Sequence, residues 1–405
     1  MSKLKTIAVH IQSEVQFYSV EPLLKELEKN PYKLTILIER HDGDKDGWRE
    51  VSAGTIELMK EHGFLPKYTE DYKNVRFDLC LTPYMDGLIT ANCYLKYDYG
   101  SINSKPVLTY IPSVMEGFHG LLCPGVDGVK FLSVYGKTFP VDNLRFLGKK
   151  RIVNHTKKKI VLFAPTYNDK YDAKENESII KELKKNYYVI VKSHHGTNYL
   201  KKNQDKKSAL QMDPDEYYDS SANLIDLMMR ADVCLSGNSS TIGDALRAGV
   251  PCVAYAHDLN YFKWRDFSTT QYELYKKGYL LSCDKVCYVN DMVAKALTKE
   301  YKEKWKKVGE ELFPLEYRTG TKGYLDAIEF FLNNPDAQKY VLLHDYRLDY
   351  WHDEVKKREK VIDEMDRYIK VLEYKYRKAT DKYDKYSNEK LHRMADTVYK
   401  LFGKK

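Results

Sequence analysis

Three short polar stretches end apolar runs in this 405-residue chain, and each has the residue types to hold a phosphate. Lys159–Thr166 (KIVLFAPT) closes on Ala164-Pro165-Thr166. The apolar run 187–191 leads straight into Lys192-Ser193-His194-His195-Gly196. ValCysLeu at 233–235 leads into Ser236-Gly237-Asn238-Ser239-Ser240, and Thr241 to Ala248 then reads as a helix. A helix start presents free backbone N–H groups and the positive end of a dipole, so it binds anions. Serine and threonine hydroxyls add donors, and lysine and histidine add charge or a proton. The bland alternative is that the hydroxyls only cap the helix, with Thr241 and Asp244 as its capping box. A fourth stretch, 113–122, carries Glu116 and His119, and either could take the proton of an attacking hydroxyl. A loop histidine can equally sit idle on the surface. The Ser236–Thr241 loop contains neither GxxxxGK[ST] nor GxGxxG, which excludes a P-loop and a Rossmann fingerprint.

These stretches need a frame that brings strand ends together. In the first half, Lys5–Ile11 reads as a strand. A helix follows over Ser19–Asn30, with Ser19 as N-cap and Pro22 in its first turn. Lys33–Ile38 is a second strand, followed by a helix near 52–62 and strands near 76–82, 106–112 and 131–136. The basic stretch 143–156 reads as a connection. The alternation then restarts: strand 159–166, helix Ser178–Asn186, strand Tyr187–Lys192, a helix around Leu224, Leu227 and Met228, strand 233–235, helix 241–248 and strand 251–256. The pattern predicts an α/β protein with two Rossmann-like domains facing a cleft, over 1–150 and 151–335, and a helical extension over 336–405. Ligands lie beyond the carboxyl ends of such strands. Thr166, Lys192, His194, His195, Asn238, Ser239, Ser240, Thr241 and Asp244 should therefore converge on one crevice opposite the 113–120 loop. No DxD falls in those loops, so the expected chemistry uses no metal and no cofactor. Asp213-Pro214-Asp215 reads as a turn, and 40–48 as a surface loop lacking the terminal glutamate of a calcium site.

The stretch 223–256 resembles the C-terminal domain of the CDP-glycerol glycerophosphotransferases, the teichoic acid primases and polymerases. Asp226, Asp232, Ser239-Ser240, Asp244 and Pro251 carry the likeness. The family's loop usually reads Thr-Asp-Tyr-Ser-Ser, where this chain has Ser236-Gly237-Asn238-Ser239-Ser240. Ala164-Pro165-Thr166 and Lys192-Ser193-His194 match two further strand ends of the family. More broadly, the stretch is similar to the nucleotide-binding half of GT-B glycosyltransferases. The resemblance implies a catalytic or donor-binding role for His194. It also implies a catalytic histidine in a His-Gly-Thr-Pro motif of the first domain, for which Glu116-Gly117 and His119-Gly120 compete. The function it implies is transfer of glycerol phosphate from CDP-glycerol to a polymer or lipid-linked acceptor, as in teichoic-acid or capsule synthesis of the cell wall. A glycosyltransferase using a UDP- or CMP-sugar, a sugar-nucleotide epimerase, and a degenerate transferase serving as scaffold stay open beside it.

Composition sets the outer bounds. At 43 % hydrophobic and 31 % charged residues the chain is globular. The net charge of +8 favours anionic partners, nucleotide diphosphates and phospholipid surfaces among them. No nucleic-acid motif accompanies it, so no nucleic-acid partner is expected. Seven cysteines without a CxxC pair predict reduced, buried thiols in a cytoplasmic protein. No apolar leader or 18-residue apolar run occurs, so neither a signal peptide nor a transmembrane helix is expected. Beyond 335, Trp351, Val355, Ile362, Met365, Ile369, Leu372, Tyr376, Ala379, Tyr383 and Tyr386 follow heptad steps once Arg358 is counted, predicting a long amphipathic helix or coiled coil. Residues 351–405 hold 16 Lys/Arg against 11 Asp/Glu. That tail could pair with its twin in a homodimer, pack on the enzyme or a partner, or lie peripherally on the inner face of an anionic membrane.

Overall fold

The computed structural model describes residues 4–42, 44–84, 89–98, 100, 117–133, 136–153, 157–166, 173–237, 239–255, 263–264, 267–268, 270–334 and 337. The strand expected over 106–112, Glu116, Asn238 and the heptad tail lie outside these residues.

Two parallel sheets organise the described chain. The first is built from β1 (Lys5–His10), β2 (Tyr32–Ile38), β3 (Lys67–Tyr68), β4 (Leu79–Thr82), β5 (Tyr94–Tyr97), β6 (Gly120–Cys123) and β7 (Lys137–Pro140), in the order β3-β2-β1-β4-β5-β6-β7. The second holds β8 (Ile160–Ala164), β9 (Tyr188–Lys192), β10 (Glu216–Tyr218), β11 (Val233–Ser236), β12 (Cys252–Tyr255) and β13 (Leu281–Cys283), in the order β10-β9-β8-β11-β12-β13. Every ladder within the two sheets is parallel. Parallel sheets are covered on both faces, so their central strands read as unbroken apolar runs. Ile160–Ala164 (IVLFA) is buried at every position, and so is Val233–Ser236. In both sheets the first strand lies inside and the order reverses beside it, which is where doubly wound folds bind ligands.

Helices α1 (Glu14–Leu27), α2 (Trp48–Glu61), α3 (Val126–Leu132), α4 (Ala173–Lys184), α5 (His195–Asn198), α6 (Gln204–Gln211), α7 (Leu224–Arg230) and α8 (Thr241–Ala248) connect the strands. Helix α1 starts at Glu14, not at the expected Ser19. Its buried stripe of Phe17, Val20, Leu23, Leu24 and Leu27 begins before Ser19, whose hydroxyl donates to the Val15 carbonyl at 2.8 Å instead of capping. Pro22 therefore lies inside the helix. The strand expected over 131–136 is likewise corrected. Helix α3 runs through Leu132, with Val129 and Leu132 packing on Phe118, Leu121 and Cys123, and the strand begins at Lys137. The helix Lys322–Asn333 returns to the first sheet, where Tyr324, Ala327, Ile328 and Phe331 join Leu95, Leu122 and Val141 in one core.

Candidate active site

On the second sheet, β9, β8 and β11 are neighbours, so Lys192, Ala164 and Ser236 end side by side. The Ser236 hydroxyl donates to the Ala164 carbonyl at 2.7 Å and ties two of these ends together. Strands in a sheet lie about 4.8 Å apart, so the turns after β9 and β11 open on either side of the end of β8.

The turn after β9 is a built structure. His194 caps the short helix α5, its Nδ1 accepting from the Gly196 N–H at 3.0 Å. In the neutral ring the proton is then on Nε2, which makes His194 a donor at that atom. His195 stands with its ring centroid 4.0 Å from that of His194 and 6.3 Å from that of Trp48, which opens α2 in the first half. Lys192 is buried, its Nζ donating to the carbonyls of Ser193 at 3.1 Å and Ser220 at 3.4 Å. Burial pushes its ammonium down to about 8, while the charges of Glu14 and Asp219 pull it back up. Lys192 thus braces the turn from behind.

The turn after β11 packs hydroxyls ahead of α8. Ser239 Oγ accepts from the Thr241 N–H at 3.2 Å and lies 3.0 Å from Thr241 Oγ1, and Gln271 donates to the Ser239 carbonyl. The Ser240 carbonyl accepts from the N–H groups of Gly243 at 2.9 Å and Asp244 at 3.1 Å. At its other end, Gly249 in the left-handed region with φ 66° closes α8. The expected capping box does not form. Ser240 holds the N-cap position, and Asp244 turns back to pair with Arg145 of the connection. Both side chains are buried. Asp244 therefore supports the loop from beneath.

His119 is placed differently from its neighbours in the expected crevice. It precedes β6, whose Gly120 pairs with Leu95, so it stands at the amino edge of the first sheet. Its Nδ1 accepts from the Tyr94 N–H at 3.0 Å, and its ring lies between Tyr94 and Phe331. Burial holds it below the ordinary histidine value. The sequence placed it in a loop after a strand; the four residues that follow it are themselves a strand.

The carboxyl edge of the first sheet carries groups that sequence reasoning passed over. His10 ends β1, with Nδ1 3.0 Å from Thr82 Oγ1 and Nε2 3.6 Å from Glu39 Oε1. The Thr82 hydroxyl donates to the Tyr84 carbonyl, so it accepts from His10, and in the neutral ring the imidazole proton is then on Nδ1. Glu14 opens α1 and reaches the second half: its Oε1 accepts from Tyr199 Oη and Ser220 Oγ, each at 3.0 Å. Tyr18 Oη donates to the Ser221 carbonyl at 2.6 Å, and the Lys201 N–H to the Asp46 carbonyl at 3.1 Å. A polar residue at the end of an apolar strand, His10 in IAVHIQ, was the available signal. Glu14 gave none, because its partners lie 185 and 206 residues away.

Residues 147–303 match the family model described as CDP-glycerol:poly(glycerophosphate) glycerophosphotransferase. The matched segment contains Thr166, Lys192, His194, His195 and Ser239–Thr241. No curated protein matches the chain. Among solved structures, Staphylococcus aureus MnaA in complex with UDP aligns at 12 % identity and TM-score 0.55, covering 82 % of this chain and 97 % of its own. A Listeria monocytogenes protein described as a UDP-N-acetylglucosamine 2-epimerase aligns at 14 % and 0.54, covering 81 % and 96 %. A variant of the wall teichoic acid polymerase TagF soaked with CDPG aligns at 13 % and 0.50, covering 88 % and 90 %. At such identities these likenesses establish the fold: the matched segment forms one half of a GT-B-like pair of sheets.

Proposed function

We propose that the protein moves glycerol phosphate, or a related polyol phosphate, from a CDP-activated donor to a cell-surface polymer or lipid-linked acceptor. The observation that carries this is the row of neighbouring strand ends β9, β8 and β11 within the matched segment, with His194 on one side and the Ser239–Thr241 hydroxyls on the other. The Ser239–Thr241 turn and the start of α8 hold the donor diphosphate. An acceptor hydroxyl attacks the glycerol-bearing phosphorus. The bond from that phosphorus to the bridging oxygen breaks, its electron pair leaves with CMP, and the hydroxyl proton is released. In a loose transition state most of the catalysis is positioning and charge stabilisation. His194, with its proton on Nε2, donates to the oxygen that gains charge on CMP. The first sheet supplies the acceptor side, and among the expected bases His119 takes no part from the amino edge.

The UDP of the S. aureus relative supports a second reading, a glycosyltransferase or epimerase acting on a UDP-sugar. A scaffold that binds no nucleotide is the third. Among the described residues no helix is long and apolar enough to cross a membrane. We place the protein in the cytoplasm at the inner membrane face, held there by the basic segment 351–405. Titration calorimetry with CDP-glycerol, UDP-N-acetylglucosamine, CMP and UDP decides among the readings. Cytidine selectivity supports the transferase, uridine selectivity the second reading, and no binding the scaffold.

A further inference from the structure

The turn that carries His194 and His195 is held by the opposite half of the molecule. Glu14, wholly buried at the start of α1, accepts from Tyr199 Oη just beyond the turn and from Ser220 Oγ two residues past β10. The same Ser220 offers its carbonyl to Lys192 Nζ, and Lys192 also holds the Ser193 carbonyl, one residue before His194. Glu14 Oε2 is buried without a hydrogen-bond partner among the described residues. Burial raises the pKa of this carboxyl, and the charge of Lys192 pulls it back down. The clamp continues along α2. A Cβ on Gly47 would meet the Tyr199 carbonyl oxygen at 2.6 Å, and one on Gly54 would meet Tyr199 Oη at 2.2 Å.

We infer that Glu14 is a positioning residue for the transfer reaction: reaching across from the first sheet, it fixes the histidine turn through Tyr199, Ser220 and Lys192, so that this turn is set for catalysis only while the two halves are docked. The inference rests on the proposed role of His194. Its charge matters as well as its hydrogen bonds. Burial lowers Lys192 to about 8; Glu14 on α1 and Asp219 after β10 raise it, and Arg145 of the connection lowers it further. Removing the Glu14 charge therefore moves Lys192 lower still, and the brace loses its proton at a lower pH.

Glu14→Gln separates charge from contact, because its amide oxygen can still accept from Tyr199 and Ser220. In the full chain this change should lower kcat at least tenfold, leave the donor KM within twofold, and shift the alkaline limb of the pH profile downward. Hydrogen-exchange mass spectrometry of peptides covering 190–203 should show faster exchange, with or without turnover. Ser220→Ala, which cuts the link without stranding a charge, should speed the same exchange. Absence of transfer by the wild-type protein, with faster exchange in both variants, sinks the proposed function and leaves the positioning role standing. Unchanged exchange in both variants overturns the positioning role, as does an unchanged kcat and pH profile in Glu14→Gln of an active enzyme.

Discussion

Arg145 Nη2 lies 2.5 Å from Asp244 Oδ1, and the two side chains are 3 % and 1 % exposed. This buried pair joins the connection between the sheets to the helix that carries the Ser239–Ser240 turn. Breaking one partner of such a pair strands a charge and costs about 3–5 kcal/mol. Arg145→Met should therefore lower the urea midpoint sharply, and Arg145→Met with Asp244→Leu should recover much of the loss. Equal midpoints for the single variant and the wild type would show that the pair does not brace the loop.

The fold was legible because parallel strands advertise themselves as short apolar runs. Val233–Ser236, Thr241–Ala248 and Tyr188–Lys192 lie where the periodicity put them, within a residue or so. Within the site, the sequence identified which strand ends carry polar groups, and not which way each side chain turns. Asp244 looked like a capping residue because its spacing from Thr241 is local, whereas its partner is 99 residues away. His119 looked like a loop residue because Gly120–Cys123 is only four residues long and carries no β-branched residue. Ser19 looked like a cap because serine at the head of an apolar stripe usually is one, and here the stripe starts earlier.

The two histidines should separate cleanly. His194→Gln should reduce kcat by about a hundredfold or more, the scale of a proton-donating contact to the reacting groups. His119→Gln should leave kcat within twofold, because that ring is packed between Tyr94 and Phe331 at the amino edge. Steady-state release of CMP from CDP-glycerol measures both, and a reversed order would reassign the catalytic histidine.

Removing hydroxyls from the loop should weaken donor binding. A hydrogen bond to a charged group contributes about 1.5–3 kcal/mol, so Ser239→Ala with Ser240→Ala should raise the Kd for CDP-glycerol at least tenfold. Calorimetry that finds the affinity unchanged would take the phosphates away from this turn.

Gly47 lies at φ 114°, in the region that favours glycine, and a Cβ there would meet the Tyr199 carbonyl oxygen at 2.6 Å. Gly47→Ala combines backbone strain of about 1–3 kcal/mol with a contact that backbone must yield to. A lower urea midpoint and lower kcat are expected together. A loss of stability with full kcat would show that the 195–201 segment tolerates movement.

Lys192 gives the pH dependence its sign. Between about 8, its value when folded, and the ordinary 10.5, the unfolded chain binds a proton that the folded chain lacks. Its contribution to stability therefore rises with pH across that window. Lys192→Met should remove the rise, so the variant's urea midpoint should fall relative to wild type between about pH 7.5 and about pH 9.5. A constant difference would mean that Lys192 keeps an ordinary ammonium.

The most direct test of the transferase account is product release. The purified full-length protein is incubated with CDP-glycerol or with UDP-N-acetylglucosamine, each with and without an acceptor primed with glycerol phosphate, and free nucleotide is quantified. Acceptor-dependent CMP release from CDP-glycerol is expected, abolished by His194→Gln, with no UDP release. Release of UDP alone, or CMP release that His194→Gln leaves intact, would contradict the transferase account.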